Sequence, residues 1–393
     1  MPLSDRQAAL SPLGLHNRPK AGDRIGLPGG QVHYLAPLPL PTGEPGQDYA
    51  YAIGEVNDIY LGFGVGLPTV FGRQLILGVP FSIWIMSIAL FPILMFIATP
   101  LMSGGFTDAV QIARGLFELG IYFASPIIIG IQFYLLAIWQ YKYRQHRNVI
   151  PARFNRQRRE VCFVPKGHTE PIFVPWESLT AWVIETQGID TYGVHREYGM
   201  GVGFHHTESG LDFTLEFPCG GLPLAIANWE ALRGYMEYQV HSLKQIQDPL
   251  DLQGPDDPPH EGLHTFHNAR ERMRRRYRAG EVGRLYVFSW YLYHLMTLWT
   301  LPFRLTDWEN RKIKHMRRHD IPQAMHEWSK PLPPEQWAKP SAELQRQSQR
   351  TEQLRQQYPQ RSVFEIFDYV RCGAKRSPSR ARARVPNDGS LSG

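Results

Sequence analysis

Leu75-Ile76-Leu77-Gly78-Val79-Pro80-Phe81-Ser82-Ile83-Trp84-Ile85-Met86 opens an apolar run that continues to Met102, with no charged residue after Arg73. A second run, residues 115–139, carries no charge between Glu118 and Lys142. A helix needs about 20 residues to cross ~30 Å of hydrocarbon, and both runs are long enough. In lipid a helix satisfies its own backbone hydrogen bonds, so both are read as transmembrane helices. The short connection at 103–114 makes them a hairpin. Two buried helices of a soluble protein are the rival reading. Pro80, Pro92, Pro100 and Pro126 weigh against it, because membrane helices tolerate interior proline better than soluble ones do.

Charge sets the expected orientation. Lys142, Arg144, Arg147, Arg153, Arg156, Arg158 and Arg159 follow the second run with no acid among them, whereas the connecting loop offers Arg114 against Asp108. The positive-inside rule places the tail, and with it the N-terminus, in the cytoplasm. Trp139, Tyr141 and Tyr143 suit an interfacial aromatic belt.

The 393 residues leave room for one or two further units, and the net charge of +6 is concentrated in basic clusters. Besides the run above, these are Arg270, Arg272, Arg274, Arg275, Arg276 and Arg278, and then Arg311, Lys312, Lys314, Arg317 and Arg318. Clusters beside membrane segments face anionic headgroups. No recognised nucleic-acid fold accompanies them, so nucleic acid is not an expected partner. The three scattered cysteines, Cys162, Cys219 and Cys372, form no disulfide framework and fit a reducing compartment.

Residues 1–72 are rich in Pro and Gly. Pro37-Leu38-Pro39-Leu40-Pro41 argues for irregular or extended chain up to about residue 50, and the alternating, aromatic and Gly-rich 50–71 reads as a short strand or a membrane-surface approach. From 160 the period changes to that of strands. Segments 161–163 and 172–174 flank a turn-like Pro165-Lys166-Gly167-His168, and 179–185, 192–195, 199–206 and 211–217 follow. Then Ile226, Trp229, Leu232, Met236, Val240 and Leu243 recur at helical steps. A small barrel closed by a C-terminal helix is the layout of a pleckstrin-homology-like domain, expected over 153–247. Residues 260–322 read as basic helices around a third apolar run at 285–303. That run is basic on both flanks, so a helix on the membrane or against the hairpin is favoured over a third span. Residues 323–393 form a Pro/Gln-rich tail with a polar helix at 341–357 and an Arg/Ser end expected to be disordered.

The sharpest chemical candidate is His260-Glu261-Gly262-Leu263-His264. On a helix this spacing turns two histidines toward one zinc ion, with the Glu as base. The motif follows Pro258-Pro259 and carries an internal glycine, which favours a solvated linker. His205-His206 in a strand point to opposite faces and do not chelate together. Gly199-Met200-Gly201-Val202-Gly203 lacks the strand-to-helix turn of a phosphate loop and reads as a strand face closely approached by a neighbour. Trp176, Glu177 and Trp182 are expected to pack the barrel, with Trp176 as a candidate groove residue.

Arg153-Phe154-Asn155-Arg156, the strand 161–164 and Val174-Pro175-Trp176-Glu177 carry a resemblance. The chain resembles a bacterial family of uncharacterised membrane proteins with a transmembrane hairpin, a basic segment and a strand-rich domain, over roughly residues 60–330. Members are often encoded near type VI secretion genes, which implies an accessory or immunity role and a secreted effector as partner.

The expected fold is a membrane α-helical hairpin (73–141) plus an α+β soluble domain. The expected function is non-catalytic: an inner-membrane, multi-pass protein, both termini cytoplasmic, binding a protein partner or anionic membrane lipids, with no cofactor. The alternative is a membrane-bound zinc metallopeptidase built on His260, Glu261 and His264.

Overall fold

The computed structural model describes residues 15–27, 29–49, 51–64, 68–102, 105–147, 150–165, 170–190, 193–249, 251–319 and 321–372. The chain is α+β and forms two compact units. One, the sheet unit, draws on 1–66, 151–248 and 322–393. The other, the helical unit, draws on 67–150 and 249–321.

The sheet unit holds two five-stranded antiparallel sheets. The first contains β1 (Arg24–Leu27), β2 (Gly30–Ala36), β8 (Thr180–Asp190), β9 (Gly193–His206) and β10 (Leu211–Cys219), in that spatial order. The second is a meander of β3 (Ile53–Val56), β4 (Tyr60–Phe63), β5 (Ala152–Asn155), β6 (Glu160–Phe163) and β7 (Ile172–Pro175). β4 pairs directly with β5, Tyr60 opposite Asn155, although the whole first helical insertion lies between them in sequence.

These sheets correct the expected boundaries. The Pro/Gly-rich N-terminal stretch supplies four strands, β1 and β2 where irregular or extended chain was expected, and β3 and β4 in the stretch read as a short strand or a membrane-surface approach, so the strand-rich unit does not begin at 153. Its hydrogen-bonding partners lie far away in sequence: Tyr34 pairs with Trp182 and Leu61 with Phe154. The expected strands 192–195 and 199–206 are one, β9. The glycines in it do not break it, because they make room for a neighbour. Trp182 sits directly opposite Gly201, and a Cβ there would lie 2.4 Å from the indole. β8 likewise runs on through Gln187-Gly188, beyond the expected end at 185. The Pro165–His168 turn lies largely outside the described residues; the strands it joins pair with Phe163 opposite Ile172.

After the strands comes a helix, α3 in chain order, Leu222–Met236. It ends at Met236 rather than continuing to Leu243, because Tyr238 adopts positive φ and the amides of Gln239 and Val240 turn back to the Gly234 carbonyl. Nor is it a one-sided lid. It is buried without a break from Ala225 to Met236. The N-terminal strap covers it: Thr42 Oγ1 donates to Glu230 Oε2 at 2.8 Å, and Gln47 N donates to the Ala227 carbonyl at 3.1 Å. Trp229 stacks on Trp176 at 5.2 Å, and both are fully buried. The C-terminal stretch also departs from a solvated tail. The helices Ala342–Gln357 and Val363–Cys372 bury Leu344, Leu354, Phe364 and Phe367.

The basic run after the second apolar stretch meets a similar correction. Arg153, Arg156 and Arg159 are buried in the sheet unit and face protein, not headgroups. Arg153 donates to Ser329 Oγ at 2.7 Å and lies over the Tyr60 ring. Arg156 pairs with Asp58 at 2.9 Å between Tyr235 and Tyr238. Arg159 pairs with Glu237 at 2.9 Å and with Glu177 at 3.3 Å. A buried guanidinium without such partners would cost several kcal/mol, so these residues fix the fold.

In the helical unit the two apolar runs are helices long and apolar enough to cross a membrane: α1, Val70–Met102, and α2, Phe106–Arg144. Three wide π turns interrupt them: Gln74–Gly78, Met86–Leu90 and Gly120–Ala124. Each ends two residues before a proline: Pro80, Pro92 and Pro126. A proline ring clashes with the carbonyl four residues earlier. Here those carbonyls belong to Ile76, Ile88 and Tyr122, each inside a widened turn that relieves the clash. The neighbouring helix then supplies a partner, since Gln132 Nε2 donates to the Ile76 carbonyl at 3.2 Å. Trp84 Nε1 donates to Ser125 Oγ (2.8 Å), which donates to the Gly120 carbonyl (2.9 Å). Gly120 has to be small, because a Cβ would lie 2.7 Å from the Ser87 carbonyl oxygen.

Candidate functional site

Packed on Val70–Ser82 of α1 and on the C-terminal end of α2 is a collar of three further helices: α4 (Leu263–Arg278), α5 (Arg284–Met296) and α6 (Leu301–His319). The third apolar run is therefore not one helix. Leu298 and Trp299 take positive φ and Pro302 follows, which splits it. α5 has 13 residues. At 1.5 Å per residue it spans about 20 Å, short of the ~30 Å of a bilayer core.

Polar side chains hold the collar to the helix ends. Arg73 Nε donates to Glu309 Oε2 at 2.9 Å, and the guanidinium lies over the Trp139 ring. Tyr143 stacks on Trp308 at 5.7 Å. Tyr293 donates to Gln74 Oε1 at 3.2 Å, and Ser82 Oγ donates to the Met296 carbonyl at 2.8 Å. Val70, Phe266 and Phe303 form an apolar knot with Trp290 and Trp299. Of the expected aromatic belt, Trp139 and Tyr143 meet protein, at Arg73 and Trp308, whereas Tyr141 is exposed.

The His-Glu motif lies in this collar, at the start of α4. Gly262 is the N-cap, so His260 and Glu261 precede the helix and only His264 belongs to it. The arrangement of two histidines one helical turn apart on one face, which a helical zinc motif needs, is absent. The His260 and His264 rings meet edge to face at 5.9 Å. His260 Nε2 lies 3.6 Å from Asp307, whose other oxygen accepts from Leu263 N at 2.9 Å. Glu261 Oε2 accepts the Val70 amide at 2.5 Å, so it occupies one of the free amides at the start of α1. Thr69 Oγ1 caps the same turn through Gly72 N at 3.2 Å. Among the described residues no group of three His, Cys, Asp or Glu side chains is placed to hold a metal.

Glu261 is thus a cap for a helix 191 positions away in sequence. Losing a capping acceptor costs about 1 kcal/mol. Glu261→Ala is expected to lower the melting temperature of the full chain by a few degrees, and Glu261→Gln to restore it, because the amide oxygen still accepts. Equal melting of Glu261→Ala and the parent would show that the contact contributes nothing.

The exposed side of the helical unit combines apolar and cationic surface. Almost none of the apolar length of α1 and α2 is buried. On α5, Leu285, Phe288, Leu292 and Leu295 are exposed. Beside them stand exposed Arg272, Arg274, Arg275 and Arg278 on α4, and Arg284 at the start of α5. A soluble monomer rarely exposes apolar surface on this scale, and such patches mark membrane or protein contacts. The sequence had indicated the arginines and the apolar run. Asp307 and Glu309, acids embedded in a basic stretch, were its one local sign of the residues that hold the collar together. Comparison of the chain with protein-family models, with curated proteins and with solved structures finds no significant match.

Proposed function

We propose that this chain is a non-catalytic integral membrane protein. In this reading α1 and α2 cross the bilayer as a hairpin. The collar sits on the cytoplasmic face, with α5 in the headgroup layer and the α4 arginines against anionic lipid. The observation that carries the proposal is the exposure of apolar side chains along both long helices, which only a bilayer or a large apolar partner covers. The collar supports the orientation, because exposed Lys142 and Arg144 and the α4 arginines belong to the elements gathered at one end of the pair. Interfacial helices of this kind bind through buried apolar area plus attraction to anionic lipid.

The sheet unit is proposed as the binding module. Strands β4 to β7, then β8 to β10, then α3 follow the element order of a pleckstrin-homology-like barrel, a fold analogy that carries no function by itself. The resemblance to the type VI-associated membrane family makes a secreted effector the partner class to test first, with an accessory or immunity role and a bacterial inner-membrane location.

Single cysteines test the topology, in a background with Cys162, Cys219 and Cys372 replaced. An impermeant maleimide added outside intact cells is expected to label Met102→Cys, at the far end of α1, and not Gly283→Cys. Permeabilisation is expected to expose Gly283→Cys. Labelling of both sites from one side before permeabilisation would overturn the hairpin.

A further inference from the structure

The sheet unit contains a groove that the proposed membrane role does not use. Its volume is about 720 Å³, within the range of small-molecule sites. One wall is the N-terminal strap around Pro37, Leu38 and Leu40, and the other is built from the helices Ala342–Gln357 and Val363–Cys372. Leu40 and Phe367 lie almost fully buried at its base, while Leu38 and Val370 are half-buried at the rim.

Its charges are unbalanced. Four cations line it, Lys20, Arg346, Arg350 and Arg371, against two acids, Glu177 and Glu343. Both acids are already engaged. Glu343 accepts from Arg346 and Gln347. Glu177 accepts from Ser341 N at 2.9 Å and pairs with Arg159 at 3.3 Å. Arg371 is held by Asp23 and by Asp368, the latter at 2.8 Å. The Lys20 ammonium and the Arg350 guanidinium are left without a carboxylate partner among the described residues. They share the groove with Leu38, Leu40, Phe367 and Val370.

We infer that this groove binds a small amphipathic anion: an apolar body of a few carbons against Leu38, Leu40, Phe367 and Val370, and one phosphate or carboxylate between Lys20 and Arg350. Lysine and arginine are the side chains suited to such groups, arginine through two parallel hydrogen bonds. The chain's own C-terminal segment is the wrong occupant. It carries Lys375, Arg376, Arg380, Arg382 and Arg384 and would meet like charge.

Hexyl phosphate is a suitable probe, titrated calorimetrically into the full chain in lipid nanodiscs with empty nanodiscs as the blank. Saturable binding is expected, at least about tenfold tighter than that of inorganic phosphate or hexanol. Lys20→Glu and Arg350→Glu are exposed changes and should leave the melting temperature unchanged. Each is expected to weaken binding about tenfold. Val370→Trp, which fills the rim without altering charge, should weaken it as well. No saturable binding by the parent protein overturns the inference. So does unchanged affinity in the Lys20→Glu/Arg350→Glu double variant, or inorganic phosphate binding as tightly as hexyl phosphate.

Discussion

Trp229→Asp is expected to abolish folding of the sheet unit while the chain remains full length. Trp229 has no exposed surface and stacks on Trp176, whose ring meets Phe154 at 5.9 Å. Removing a buried Trp side chain costs about 3–5 kcal/mol from lost burial and the cavity alone. An unpaired carboxylate in its place adds a desolvation penalty. Together these match or exceed most of the roughly 5–15 kcal/mol that holds an ordinary domain. No relief is available from the other face of α3, because the 42–47 strap covers it. Limited proteolysis is the direct measurement: the variant should be cut within 151–248 under conditions that leave the parent intact. Trp229→Phe, which keeps an aromatic ring in place, should restore resistance. Equal resistance of Trp229→Asp and the parent would mean that this helix does not hold the two sheets together.

What could be foreseen here depended on sequence range. The two long helices were legible, because some twenty uncharged apolar residues in a row leave few alternatives, and α3 was legible from its spacing, though not its end at Met236. The strand content at 160–217 was visible in its alternation. Its partners were not. β2 pairs with β8 across about 150 positions, and the proline run beside β2 disguised it as irregular chain. The arginines at 153–159 showed the limit of reading charge locally. Beside an apolar run they look like headgroup ligands, yet their partners are the acids at 58 and 237, the Trp328 carbonyl and the Ser329 hydroxyl. The surroundings of the His-Glu motif were hidden for the same reason: Glu261 meets the distant Val70 amide, and the helix begins at Leu263, three residues after His260. The groove left no local trace, since its walls come from the two ends of the chain.

His294 is the residue whose replacement should most change the response to acid. It is 7% exposed on α5, and neither ring nitrogen has a hydrogen-bond partner among the described residues. Aromatic rings surround it, Trp290 at 3.9 Å, Phe266 at 5.1 Å and Phe303 at 6.3 Å between centroids. The nearby cation Arg270 lies on the Phe266 ring. Burial alone pushes the imidazole down from 6.5 to about 4, with no charged neighbour contributing. Above the unfolded value both states hold a neutral ring, and the full stability is present. As the pH falls through that value the unfolded chain takes up the proton first, so stability drops until the folded ring is itself protonated near pH 4. Between pH 8 and pH 5 the loss from this residue is about 2 kcal/mol. His294→Phe should remove that loss and leave the remaining pH dependence in place. At pH 8 the variant should be at least as stable as the parent, because it deletes two buried polar atoms that nothing satisfies. Melting temperatures of parent and variant at the two pH values, in one lipid nanodisc preparation, give the difference directly. If both proteins lose the same stability from pH 8 to pH 5, the imidazole is hydrated in the folded state and the aromatic knot of the collar is open to water.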